Sequence, residues 1–360
     1  MSVDFNKEYR DIDTYSAKCP NCGGVMVFSP ETQSLKCEHC GTEESIQKNF
    51  NVEENDIAAG FQDAEKWNPE EQVTYKCGNC GAVVVLSVED ETSICPFCGT
   101  THIAKEGSFD GIRPHTVIPF QFSHDNAVEK AKKWAKKRLF APRKFKKSIN
   151  AEKVQGVYEP CFTFDTNTYS TYEGRVGDRH TRTVGSGKNR RTETYIVYRR
   201  VSGRHEYFFD DVMVATNENF NQSELNGLSP FDTSKACVYE KKYLSGFMAE
   251  GYQKNLDESW KSGKNIISGA IRSQIRSKLN CDVVDYLNVS TNFSDVKFKY
   301  MLLPIYVLTY FFKKKRYTVR VNGTTGKIKG KTPISPLRVI IASILGAVVA
   351  GFLIWLFANC

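Results

Sequence analysis

The alternation of apolar and polar positions divides the chain into distinct kinds of segment. Between Lys18 and Thr42, and again between Lys76 and Thr100, short β-prone runs such as Ala82-Val83-Val84-Val85-Leu86 lie between pairs of cysteines and end near polar turn residues. Two hairpins are predicted there. From Ser123 onward, Ala127, Ala131, Trp134, Ala135 and Leu139 recur at helical spacing behind an N-capping Ser or Asp, which predicts an amphipathic helix. Beyond Gly156 the chain turns aromatic and β-branched. Val157-Tyr158, Cys161 to Asp165, Tyr169 to Tyr172, Thr194 to Val201 and His205 to Thr216 read as antiparallel strands. Within them Gly174 and Gly177 read as bends, Ser202-Gly203 as a hairpin turn, and the polar, basic run Asp178 to Arg191 as a mobile loop. A helix is expected over roughly Asn255 to Leu279, then strands at Tyr300 to Phe312 and Tyr317 to Val321, with turns at Asn322-Gly323 and Thr325-Gly326. Finally, Val339 to Ala358 holds 20 residues without a charge. At about 1.5 Å per residue it matches the roughly 30 Å hydrocarbon core of a bilayer.

Cysteine spacing sharpens the two hairpins. Cys19, Cys22, Cys37 and Cys40 form C-x2-C-x14-C-x2-C, and Cys77, Cys80, Cys95 and Cys98 repeat it at an offset of 58, with 13 of the 25 positions from Lys18 to Thr42, cysteines included, identical to Lys76 to Thr100. This is an internal duplication. Two residues between cysteines allow a tight turn, and the glycine after each pair tolerates the positive φ needed there. The hairpin brings the half-sites together, so each quartet is a zinc ribbon: a closed four-cysteine site that holds Zn2+ to fold the module and leaves no open coordination position. Two zinc ions per chain are expected, with iron in a rubredoxin-like site as the competing metal. His39 and His102 read as bystanders, and Cys161, Cys237 and Cys281 as buried thiols.

The fold class is therefore multidomain. A flexible amino terminus (1–17) precedes zinc ribbon 1 (18–42), an acidic linker (43–75) with a short helix around Ile57 to Trp67, and zinc ribbon 2 (76–104). An α+β domain rich in antiparallel strands, carrying the basic amphipathic helix, spans 105–332, and one C-terminal transmembrane helix spans 337–358.

Charge changes what the ribbons can recognise. The net formal charge of +8 hides an acidic segment, 1–104, with 7 basic and 18 acidic side chains, and a segment from 296 onward with 11 basic and none acidic. A tetrathiolate zinc centre adds a formal −2, which brings the ribbon segment to about −15. Phosphate binding needs the opposite sign, so protein partners are the expected targets of the ribbons. The helix after Ser123 and its sequel, rich in Lys130, Lys132, Lys133, Lys136, Lys137, Arg138, Arg143, Lys144, Lys146 and Lys147, read as a solvated face packed through Trp134. An anionic-lipid surface, an acidic partner or nucleic acid are the alternatives there. Basic residues from Arg316 to Arg338 predict that the amino-terminal bulk stays cytoplasmic, anchored in the cell membrane by a single pass. Ala342, Gly346 and Ala350 recur on one face and offer a homodimer contact. The polar start, Met1 to Lys18, predicts no secretory signal.

No catalytic motif stands out. Gly187-Lys188, Gly263-Lys264 and Gly326-Lys327 fail the Walker pattern, and Asp210-Asp211 reads as a turn beside a strand. No enzyme is expected. Jointly, the two ribbons, Val117-Ile118-Pro119-Phe120, Phe140-Ala141-Pro142, Gly156 to Pro160, Tyr243-Leu244-Ser245-Gly246-Phe247 and Val321 to Lys327 resemble bacterial TFIIB-type zinc-ribbon-containing membrane proteins, sometimes labelled PriA-type replication-restart helicases. Cys161 and Ser229 depart from that pattern, where an aromatic and an acidic residue are expected. The resemblance implies no established activity. Its expectation is a membrane-tethered, non-catalytic adaptor at the cytoplasmic face; the alternative is a nucleic-acid-binding protein using the basic helix and loop of the middle domain.

Overall fold

The computed structural model describes residues 17–63, 72–79, 81–87, 95, 103–107, 112–147, 149, 154–312 and 315–358. The expected flexible terminus up to residue 16, the end of the helix predicted toward Trp67, and Cys80, Cys98 and His102 lie outside the described residues.

Strands β1 (Ala17–Lys18), β2 (Val25–Ser29), β3 (Ser34–Cys37) and β4 (Glu43–Ser45) form a small antiparallel sheet in chain order. Alternation along β2 turns Met26 and Phe28 inward, where they meet Leu35. Strand β5 (Asn55–Asp56) leads into helix α1 (Ile57–Asp63), capped by Asp56 Oδ1, which accepts from the amides of Ala58 and Ala59 at 2.8 and 3.3 Å.

The repeated hairpin has a different setting. Its strands β6 (Gln72–Cys77) and β7 (Val83–Ser87), with β8 (Ile103–Gly107), belong to the large mixed sheet. There follow β9 (Thr116–Val117), helices α2 (His124–Lys136) and α3 (Arg143–Lys147), and the long strands β10 (Val154–Val184) and β11 (Arg191–Ala215). Next come α4 (Gln222–Leu228), β12 (Cys237–Val238), β13 (Met248–Glu250) and α5 (Leu256–Leu279). Strands β14 (Val283–Phe312), β15 (Lys315–Asn322) and β16 (Ile328–Gly330) precede α6 (Pro336–Ala358).

β10 is the spine. It pairs with β14 from Val154↔Leu308 to Gly177↔Val283, and with β11 from Cys161↔Ala215 to Val184↔Arg191. The three strands form a blade bent by bulges beside Asp165, where Asp211 and Asp295 adopt φ of 49° and 51°. The run Asp178 to Arg191 is therefore largely strand, not loop: Asp178 pairs with Val197, and the chain reverses at Gly185 and Gly187, both at positive φ. Ser202-Gly203 is likewise inside β11, not a turn. A Cβ at Gly203 would fall 2.5 Å from the Tyr172 hydroxyl, so the glycine serves cross-strand packing. Gly174 and Gly177 also lie within paired β10.

Helix α5 covers one face of the blade. Asn255 and Glu258 form a reciprocal capping box, and Asn280 ends the helix at φ 43°. Trp260, Gly263, Ile267, Ile271 and Ile275 form the buried stripe, with Trp260 packed on Phe164 at 5.1 Å between ring centroids.

Strand β13 runs parallel to β10, with Val157↔Met248 and Tyr158↔Ala249 in register, which sets Glu159 beside Glu250. Both are buried, at 0 % and 1 % exposure. Burial, reinforced for Glu250 by its neighbour, raises both carboxyls above the usual 4.5, while Arg320 acts against the shift on both. Glu224 further raises Glu159. The unfolded chain releases protons above about 4.5 that the folded chain keeps, so stability falls as pH rises from there toward the raised values. Glu250→Gln should be nearly neutral at pH 4.5 and increasingly stabilising as the pH is raised toward 8. Thermal denaturation at both pH values measures it.

Candidate metal centre

Three cysteine knuckles share one backbone geometry. The Gly23 amide donates to the Cys19 carbonyl at 2.9 Å and the Cys19 amide to the Gly24 carbonyl at 2.7 Å. Gly41 and Thr42 repeat this around Cys37 (3.0 and 2.8 Å), as do Gly81 and Ala82 around Cys77 (2.9 and 2.9 Å). Gly23, Gly41 and Gly81 stand at φ 74°, 75° and 73°, the left-handed turn expected of the glycine after each pair.

The first two knuckles close on one another. Strand β2 starts just beyond Gly24, β3 carries Cys37, and their antiparallel register sets Met26 opposite Cys37. All four sulfurs of Cys19, Cys22, Cys37 and Cys40 lie within 4.8 Å of one another, with 3.5 Å between Cys19 and Cys40 and between Cys22 and Cys37. Disulfide sulfurs would stand about 2.05 Å apart. A tetrahedron with metal–sulfur bonds of about 2.3 Å has edges near 3.8 Å, so the donor set fits a tetrahedral ion. Such crowded thiols cannot all ionise unaided: the Thr42 hydroxyl and amide bring Cys40 down to about 6. Cys22 is pushed up to about 12 by the sulfurs of Cys40 and Cys37, against the Gly24 amide. His39 is exposed on the knuckle and outside the sulfur cluster.

Of the second quartet, Cys77 and Cys95 are buried in the core of the large sheet, and Cys80 and Cys98 lie outside the described residues. Among the described residues there is accordingly one four-cysteine cluster. Cys161 and Cys237 are buried, as expected of inert thiols, and Cys281 is half-buried.

Sequence reasoning did not identify what holds the hairpins. The segment Tyr243 to Phe247 receives the first: the Phe28 amide donates to the Ser245 carbonyl at 3.0 Å, Ser245 Oγ donates to the Met26 carbonyl, and Phe28 packs on Tyr243 at 5.4 Å. Gly246, at φ 78°, lets Val27 approach to where a Cβ would stand 3.2 Å away. The next residues take the second hairpin, through Ala249↔Val85, the Gly251 amide to the Val83 carbonyl (2.9 Å) and Gln253 Nε2 to the Gly81 carbonyl (3.0 Å). The only advance signal was the Tyr243 to Phe247 string itself.

A second ionisable cluster, also unforeseen, lies at the blade's bulges. Carboxylate oxygens of Glu54, Asp165 and Asp210 lie within 4.8 Å of one another. Lys299 Nζ stands 3.3 Å from Glu54, 3.6 Å from Asp165 and 2.7 Å from Asp211. Lys297 Nζ stands 3.5 Å from Glu54, so two ammonium groups face these carboxylates. Burial and Glu54 raise Asp165 to about 7. The expected turn at Asp210-Asp211 is a bulge inside β11.

Among the described residues, one helix is long and apolar enough to cross a membrane: Pro336–Phe357, 22 residues, exposed along its length. Its place near the chain end is consistent with a single pass that leaves the rest of the described chain on one side of a bilayer.

The chain is 30 % identical over 325 residues to the uncharacterized protein YdjG of Bacillus subtilis (strain 168), a match covering 89 % of this chain and 90 % of that one. It belongs to the YdjG family. No family model and no solved structure matches. The match to YdjG spans nine-tenths of both chains and so is not confined to the cysteine segments.

Cys37→Ser should release one metal equivalent per chain, read by elemental analysis. Gly41→Ala should keep the metal and cost about 1–2 kcal/mol of left-handed backbone strain, because no atom lies within 4 Å of its Cβ. Thermal denaturation of the metal-loaded chain separates the two effects.

Proposed function

We propose that the chain is a membrane-tethered zinc-ribbon adaptor, non-catalytic, whose ribbons and β-rich domain bind protein partners at the cytoplasmic face. The observation that carries this reading is the closed cluster of Cys19, Cys22, Cys37 and Cys40: four thiolates complete a zinc ion's tetrahedron and leave no position for substrate. A second zinc at Cys77, Cys80, Cys95 and Cys98 is supported by the shared spacing and by the knuckle at Cys77. The TFIIB-type ribbon family is the reading that these two hairpins favour. Positive residues before α6 and in its first turn, Lys327, Lys329, Lys331 and Arg338, favour an amino-terminal side facing the cytoplasm. Small residues Ala342, Gly346 and Ala350 on one face of α6 support pairing of two copies in the membrane.

Nucleic-acid binding is the second reading, favoured by the blade face opposite α5. Tyr169, Tyr198, Phe208 and Tyr286 are exposed there, a row of aromatic faces interleaved with Arg175, Arg200 and Arg204 and with Glu173 and Glu206.

Elemental analysis of the full chain in detergent should give two zinc per chain; iron, or one metal, overturns that part. The chain should resist alkaline extraction from membranes, and crosslinking at native expression should capture proteins that are lost on Cys37→Ser. A gel shift that weakens steeply with salt would decide for nucleic acid instead.

A further inference from the structure

The base of α6 is fastened to the basic helical corner by three hydrogen bonds. The Ser335 amide donates to the Phe140 carbonyl at 2.8 Å, and Arg338 Nη1 donates to the carbonyls of Leu139 and Ala141 at 2.9 and 2.8 Å. The corner between α2 and α3 is therefore held at the point where α6 leaves the folded body.

Two properties of that corner are otherwise unexplained. Leu139 and Phe140 project from it at 75 % and 43 % exposure, and Ile334 and Leu337 across the hydrogen bonds are 64 % and 66 % exposed. Isolated apolar residues on a surface need no explanation, but four gathered at the foot of a membrane-length helix form a patch. Around it the charge has one sign: from Lys130 to Lys147 there are ten basic residues and no acidic one. The buried side of α2 is small and apolar, Ala127, Val128, Ala131 and Ala135, which directs the lysines outward. α3 is held by Phe145, whose ring packs on Tyr310 at 5.2 Å and so brings exposed Lys315 and Arg316 to the same end of the sheet.

We propose that this corner is a headgroup platform: Leu139 and Phe140 dip into the interface of the bilayer that α6 spans, and Lys136, Lys137, Arg143 and Lys144 bind its anionic phosphates. The proposal rests on the membrane reading of α6. Charge complementarity and continuity with the membrane helix select this occupant. Basic side chains flanking an exposed apolar tip are the composition of an interfacial anchor, whereas a nucleic-acid duplex at this corner would meet the bilayer.

The platform fixes how the folded body stands. A helix entering lipid from a loose linker lets its domain tumble, but a second contact at the surface holds the blade and both hairpins at a set angle to the membrane.

The test uses the full chain in lipid nanodiscs of phosphatidylcholine alone or with phosphatidylglycerol, read by hydrogen-exchange mass spectrometry. Exchange across 136–147 should slow with phosphatidylglycerol by about fivefold or more, the factor contributed by one Lys or Arg at an anionic surface. Amides of α5 should not change. High salt, or the combined changes Lys136→Gln, Lys137→Gln, Arg143→Gln and Lys144→Gln, should abolish the difference; Leu139→Asp, at an exposed position, should reduce it without unfolding the chain. Equal exchange in the two lipids, from chains that copurify with the nanodiscs, overturns the platform and leaves the membrane helix standing. Protection that appears only on adding duplex DNA assigns the corner to nucleic acid and overturns it too. Failure to copurify with nanodiscs overturns both readings.

Discussion

Satisfaction of the β10 backbone is the constraint on which the rest of the structure depends. A strand of 31 residues exposes amides and carbonyls along both edges, and each must be paired where it is buried. β14 fills one edge from Val154 to Gly177, while β13 and then β11 share the other. Once those partners are in place, the side-chain alternation of β10 fixes which residues meet α5 and which face outward. The bulges at Asp165 are where this long ribbon changes direction, and Lys299 pairs with carboxylates gathered at the bend.

The parts set by local geometry were legible in the sequence. Cysteine spacing foretold the first sulfur cluster, and the glycines after Cys22, Cys40 and Cys80 foretold the left-handed turns. The stripe of α5 and the apolar run of α6 have periodicities that few alternatives share. The blade was read worse. Ser202-Gly203, Gly174 and the polar run from Asp178 look like interruptions one residue at a time, but cross-strand neighbours decide their fate. Gly203 lies under Tyr172, and Gly177 under Ile196 and Tyr198.

Long-range pairings left even less trace. Nothing near Val85 announces Ala249 as its partner, and the buried Glu159 and Glu250 sit in strands that composition alone would make wholly apolar. The duplication also misled in one respect. Equal sequences predict equal modules, yet β2 and β3 stay in a small sheet while β6 and β7 join the large one. Each hairpin touches a different part of the Tyr243 to Gln253 stretch.

That common support has a thermodynamic corollary. The stretch from Tyr243 to Gln253 carries the first hairpin on its leading half and the second on its trailing half, without a flexible joint between them. Order in either hairpin immobilises backbone that the other would otherwise have to immobilise for itself. Were both hairpins to take up metal, ordering one would lower the entropy cost of ordering the other, and the two sites would be linked by a reciprocal coupling.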